Sequence, residues 1–221
     1  LFIRGGEPTQ NLILLDGIPI YQPFHLIGFY SVFPSDLLSK ADVYAGGYGA
    51  KFGERISSVI DVWTREGDKR RFGGAVSVSP FIGTALLEGP IVPGRVSFLA
   101  SVRRSTLEQG AERVIGRDLP FDFGDAFAKV HAALGSRARL SAVGITTFDR
   151  GVLHEEGPDD EGLEGEGRGF PAEEVRWRNQ AAGLRYLGLP RLLPISVDLR
   201  ASYSRLESEL GPAGAPTRSS S

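Results

Sequence analysis

The sequence predicts a small mixed α/β domain followed by an all-β region of about seven antiparallel strands. Three observations predict this. Glycine is abundant, with 29 in 221 residues, while helix-favouring runs are few, so strands and turns dominate. The pattern changes near Gly67, from short apolar runs closed by Gly/Pro turns to longer segments that alternate with period two. The connections of the second region then divide into short turns and long polar loops. The expected domains are therefore residues 1–67 and 68–221.

In the first domain, Asn11 to Leu15 is a short apolar run closed by Asp16-Gly17, a turn signal. Ile18 to Tyr21 follows as a second short strand. Pro34 to Leu38 reads as a helix start with Ser35 as its N-cap, which supplies the α part of the expected class. Ala41 to Tyr44 is a further strand, ended by Gly46-Gly47. Ser57 to Thr64 is a longer one, ended by Arg65-Glu66-Gly67-Asp68.

In the second domain the clearest strand is Ile195 to Ser204. Ile195, Val197, Leu199, Ala201 and Tyr203 share one face, and Ser196, Asp198, Arg200, Ser202 and Ser204 the other. Arg95 to Ser105 repeats the pattern. Phe121 to Leu134 places Asp125, Lys129 and His131 opposite Ala126, Ala128, Val130 and Ala132. Gly73 to Ser79, Ile82 to Glu88, Leu140 to Phe148 and Val175 to Leu187 complete the set. Residues 90–94, 135–137 and 189–194 are short turns, whereas 106–120 and 150–174 are long, polar and Gly-rich. Short turns at one end and long loops at the other suit an outer-membrane barrel. Alternation by itself suits a water-soluble antiparallel sandwich better, because each barrel strand's signal is weak, and the loop asymmetry brings the two readings level.

Composition narrows function. With net charge −2 and a pI of about 6.0, no basic footprint argues for nucleic acid. The absence of Cys removes disulfides, thiol nucleophiles and thiolate metal sites. His25, His131 and His154 lie in separate elements without metal-ligand spacing, so no metal site is expected. Gly49-Ala50-Lys51-Phe52 lacks the Gly-Lys-Ser/Thr of a phosphate loop, and no nucleophile–base motif is present. The expectation is a non-enzyme without a cofactor. A hydrolase would have to use Asp159, Glu161 and His154 in the acidic loop. That loop otherwise reads as a solvated external segment. With no Met anywhere, and ends at Leu1 and Ser221 that interrupt the pattern, the chain reads as a fragment of a longer protein.

Three stretches carry a family resemblance. Ile3-Arg4-Gly5 followed by the apolar strand and Asp16-Gly17-Ile18-Pro19 closely resembles the plug domain of TonB-dependent receptors. Tyr44 to Gly67, with its Gly-rich turn, Tyr48-Gly49 and a final strand into Thr64-Arg65-Glu66-Gly67, resembles the end of that plug. Glu54-Arg55 departs from the pattern, which has a second Gly before the Arg. Glu88-Gly89-Pro90-Ile91, Ser97-Phe98-Leu99 and Arg103-Arg104-Ser105 are similar to the early barrel of the Bacteroidota-type branch.

The resemblance implies residues 1–67 as the later part of a plug and 68–221 as the start of a partial antiparallel transmembrane β-barrel. It implies energised uptake of a scarce solute (siderophore-iron, cobalamin, oligosaccharide or peptide) through the outer membrane of a Gram-negative bacterium. Its partners would be outer-membrane lipid and a TonB energy-transducing complex acting on a segment N-terminal to this chain. The alternative is a soluble β-rich surface binding or adhesion module. Tyr21, Phe24, His25, Phe29 and Tyr30 form an aromatic stretch that would serve as a ligand floor at the plug apex. Arg4, Glu54 and Arg55 would make polar plug–barrel contacts with Arg103, Asp125 and Lys129.

Overall fold

The computed structural model describes residues 11–25, 28, 30–46, 49, 52, 58–106, 121–153, 173–191, 194–212 and 217–220. The first domain is a four-stranded sheet of β1 (Asn11–Leu15), β2 (Ile18–Pro19), β3 (Leu38–Tyr44) and β4 (Ser58–Thr64), in the order β2-β1-β4-β3. The two central strands, β1 and β4, run parallel, with Asn11 opposite Ser58 and Leu15 opposite Val62. Both are covered on two faces, so they read as near-continuous apolar runs rather than alternating ones. The link from β1 to β2 is a two-residue hairpin at Asp16-Gly17, with φ of 51° and 85°. Two successive positive φ values make a type I′ turn, the geometry for which Asp-Gly is suited.

The helix expected at Pro34–Leu38 is not formed. Ser35–Leu37 makes a single 3₁₀ turn, capped by Pro34 without a side-chain bond, and Ser35 lies inside the turn rather than at its N-cap. The reason lies downstream. The alternating stretch from Leu38 pairs with β4 at once, and Ser39 Oγ donates to the Trp63 carbonyl at 3.0 Å. One turn suffices to bury Leu37. Among the described residues the domain is a mixed parallel and antiparallel sheet without an α-helix, so its expected α/β class is corrected.

The second region is one antiparallel sheet of eight strands, open at both edges. They are β5 (Gly73–Val78), β6 (Ile82–Val92), β7 (Val96–Ser105), β8 (Phe121–Ala133), β9 (Ala138–Leu153), β10 (Glu173–Gly188), β11 (Val197–Pro212) and β12 (Thr217–Ser220). Each pairs only with its sequence neighbours. The ladder of β6 with β7 breaks between Pro90 and Val92, where a residue without an N–H interrupts the pairing.

The two faces of this sheet are inverted relative to a soluble sandwich. Val76 (79% exposed), Leu87, Val130 and Leu199 (61%) lie bare on the outer face. Asp125 (5%), Lys129 (6%), Thr147, Asp149 and Asn179 are buried on the inner face, against the small sheet. Register sorts the outer face into rows. Phe98, Val130, Ala142, Leu184 and Ala201 stand opposite one another in succession. Two rows closer to the long loops, Ala126, Thr146, Gln180 and Arg205 align. Further on, Asp122, Arg150, Arg176 and Glu209 form a charged row. An apolar band bordered by charge is the pattern that membrane barrels present to lipid.

Candidate functional site

The inner face meets the small sheet through three successive register rows of contrasting character. The middle row is Ser101, Phe127, Ile145 and Ala181. Phe127, Ile145 and Ala181 join Leu15, Ile18, Ile20, Val32, Leu37 and Val62 of the small domain in one apolar cluster. The interface is therefore not wholly polar, as the sequence pattern suggested. It has a narrow dry centre with a charged cluster on either side.

Toward the short turns lies Lys129, one register row from the apolar centre. Its Nζ donates to the two Asp16 carboxylate oxygens at 3.2 and 3.1 Å, to Thr64 O at 3.2 Å and to Thr64 Oγ1 at 2.8 Å. Asp16 in turn accepts from Thr64 N–H and Thr64 Oγ1. The hairpin turn and the end of β4 are thus pinned together and both held to the wall by one buried cation. An ammonium has three protons, and here they meet a carboxylate, a hydroxyl and a carbonyl. Nearby, Ser97 Oγ donates to Glu66 O at 2.7 Å, and Arg65 Nη1 donates to Glu88 at 3.0 Å. Glu66 is held below the usual carboxylate range. Burial alone would raise it, but the Lys69 bond and the His131 ring beside it outweigh burial. A cavity of about 470 Å³ opens at this end, lined by Trp63, Lys129, Arg185 and Arg200 among others. The Arg185 and Arg200 guanidinium carbons lie 4.7 and 5.5 Å from the Trp63 ring centroid.

Toward the long loops lies the second cluster. The row Arg103, Asp125, Thr147 and Asn179 runs across four strands. The segment after β2 folds back on itself, with Phe24 bridging Ser31, and delivers His25 into this row. The His25 ring is fully buried. Its Nδ1 lies 3.1 Å from both Asp149 oxygens and its Nε2 3.1 Å from Asp125 Oδ2. Arg103 Nε donates to Asp125 Oδ2 at 2.6 Å, and its Nη2 donates to the Ser31 carbonyl. Phe123 stacks beneath, with centroids 4.3 Å from His25 and 5.6 Å from Tyr30. Burial lowers the His25 pKa, but the hydrogen bonds to Asp125 and Asp149 more than offset it, leaving the pKa above its ordinary 6.5. A third contact is Asn179 Nδ2, which donates to the Gln22 carbonyl at 2.9 Å.

Of the expected wall contacts, Arg103, Asp125 and Lys129 all reach the small domain, but their partners are His25, Ser31, Asp16 and Thr64. The partners expected from the sequence, Arg4, Glu54 and Arg55, lie outside the described residues, as does Phe29. Of the aromatic stretch, Tyr21 is exposed and Phe24 and Tyr30 are half-buried. His25 is fully buried and points into the large sheet between the carboxylates of Asp125 and Asp149. Asp16 and Asp149 were missed. Asp16 was read only as a turn residue, and Asp149 lies one residue beyond the alternation recognised as a strand. His154, Asp159 and Glu161 lie outside the described residues.

Residues 1–58 match the family model for the TonB-dependent Receptor Plug Domain. No curated protein matches the chain. Among solved structures, the fold is similar to the siderophore receptor PirA from Acinetobacter baumannii, with a TM-score of 0.67 at 14% identity over 99% of this chain and 37% of that one. It is also similar to the siderophore receptor PirA from Pseudomonas aeruginosa, with a TM-score of 0.60 at 15% identity over 94% of this chain and 34% of that one. The chain thus spans about a third of the length of these structures. Motif and family match agree on a TonB-dependent receptor plug domain in residues 1–58, which strands of an open antiparallel sheet follow.

Proposed function

We propose that this chain belongs to an outer-membrane transporter that imports a scarce solute by ligand-gated, energised movement of its plug. The observation that carries the reading is the interface itself. A narrow apolar row flanked by two buried charged clusters holds the plug in one place, yet offers water-compatible groups on both sides once it shifts. The bare apolar outer face supports a lipid-embedded wall and argues against the soluble surface module. Tyr21, Phe24 and Tyr30 form the solute-facing floor at the long-loop end. Energy comes from a TonB-type inner-membrane complex pulling on the plug. An iron chelate of the siderophore class is the first solute to test, because both similar structures are siderophore receptors.

A plug that must move is stopped by a covalent tie. A Cβ placed on Gly183 of β10 would lie 2.9 Å from Ile18 Cγ1 of the plug. That is close to the Cβ-to-sulfur separation across a disulfide, about 3 Å from its bond lengths. The chain has no cysteine of its own to interfere. In the full-length receptor, Ile18→Cys with Gly183→Cys should leave surface binding of the solute intact. It should abolish uptake when oxidised and restore it on reduction. Full uptake by the oxidised receptor would overturn the proposal.

A further inference from the structure

We propose that His25 is a charge-operated latch that ties the apical loop of the plug to the barrel wall and releases it when the ring loses its proton. The geometry favours the cation. Both ring nitrogens face carboxylates, Nδ1 at Asp149 and Nε2 at Asp125, each at 3.1 Å. Only an imidazolium has a donor for both, because a neutral ring has one N–H and one lone pair. Among the described residues, the charges facing the ring are Asp125 from β8, Asp149 from β9 and Arg103 from β7. Its own loop contributes Tyr30, and β10 presents the neutral Asn179.

Loss of the proton removes the positive charge between two carboxylates in a closed site. The neutral ring can keep its bond to Asp149 and accept from Arg103 Nη2, which lies 3.2 Å from Nε2. The Nε2 lone pair then faces Asp125 Oδ2 at 3.1 Å, so a bond becomes a repulsion. Two acceptors held face to face in a buried site are costly, and the remedy is to let water in by lifting the loop. The raised pKa sets the direction. Because the folded value lies above 6.5, the latch is fully engaged below pH 6.5 and is lost as pH rises through the folded value. The loop it holds carries Tyr21, Phe24 and Tyr30, so the latch determines how firmly the solute-facing aromatics are anchored.

The test reads loop motion, not transport, and so stands or falls apart from the uptake reading. A single spin label is placed at Tyr21→Cys, an exposed position on this loop, in the full-length receptor in detergent. Its mobility is followed from pH 5.5 to 9.5. The expected result is an immobile label at low pH and a one-proton transition to a mobile one, with a midpoint above 6.5. His25→Gln should abolish the transition. Asp149→Asn should move the midpoint down by about one pH unit, as loss of one adjacent charge does. Should His25→Gln fail to fold, Asp149→Asn alone decides. A flat profile in the unmodified receptor, a transition that survives His25→Gln, or an unmoved midpoint in Asp149→Asn overturns the latch.

Discussion

Lys129 shows how much one residue can hold. It is 6% exposed, and its ammonium bridges the β1–β2 turn, the end of β4 and the wall. Removing one partner of a buried, bonded pair strands the other, which costs about 3–5 kcal/mol. Lys129→Met in the full-length receptor should therefore lower unfolding stability by about 3 kcal/mol, read by chemical denaturation in detergent. Adding Asp16→Asn should recover part of that loss, because the stranded charge is removed. Independent, additive costs would show that the pair is not coupled as described. Lys129 and Asp125 were legible in the sequence, since each interrupts an apolar alternation with a charge on the inner face. Asp16 was not. Its partner Thr64 lies 48 residues away, and only the parallel register of β1 with β4 brings the two together. His25 was legible as unusual, but its carboxylate partners were not, because an aromatic run does not reveal which ring turns toward the large sheet.

Among elements, the strands were the most legible and the helix the least. Period-two alternation located β7, β8 and β11 because their outer faces are apolar and their inner faces polar. The recognised segments stop short where β9, β10 and β11 each run to 16 residues. Beyond the apolar rows both faces are polar, as at Arg150, Arg176 and Glu209, so alternation vanishes while the backbone ladder continues. β12 has no apolar residue and gave no signal. The Asp16-Gly17 hairpin, by contrast, is fully determined by local chemistry. Gly17 sits at φ 85°, where a side chain is strained, and a Cβ there would lie 2.7 Å from Arg200 Nη1. The arginine tip can move, so the backbone sets the cost. Gly17→Ala should destabilise by about 1 kcal/mol and Gly17→Asn by less, since Asn tolerates the left-handed region. Thermal melts of the two variants check the order, and equal melts would contradict the turn geometry.

At the scale of the whole molecule, the inverted faces of the eight-stranded sheet separate a lipid-embedded wall from a water-exposed one. Val130 tests this cleanly. It is 40% exposed on the outer face, beside the buried Lys129 on the inner, in the middle apolar row with Phe98, Ala142, Leu184 and Ala201. On a water-facing surface, replacing an exposed valine by arginine changes stability by within about 0.5 kcal/mol. Facing the midplane of a bilayer, the same change costs about 2–4 kcal/mol. Arg178, exposed on the same face one row from the charged row, supplies the control, because Arg178→Gln should be close to neutral in either setting. Reversible unfolding of the full-length receptor from lipid vesicles should therefore show Val130→Arg destabilised by at least 2 kcal/mol relative to Arg178→Gln. Repeated in detergent, whose shell adapts around a charge more readily than a bilayer does, the gap should narrow. A gap near zero in vesicles would mean that this face does not meet lipid. The apolar rows would then have to be covered by another protein surface instead.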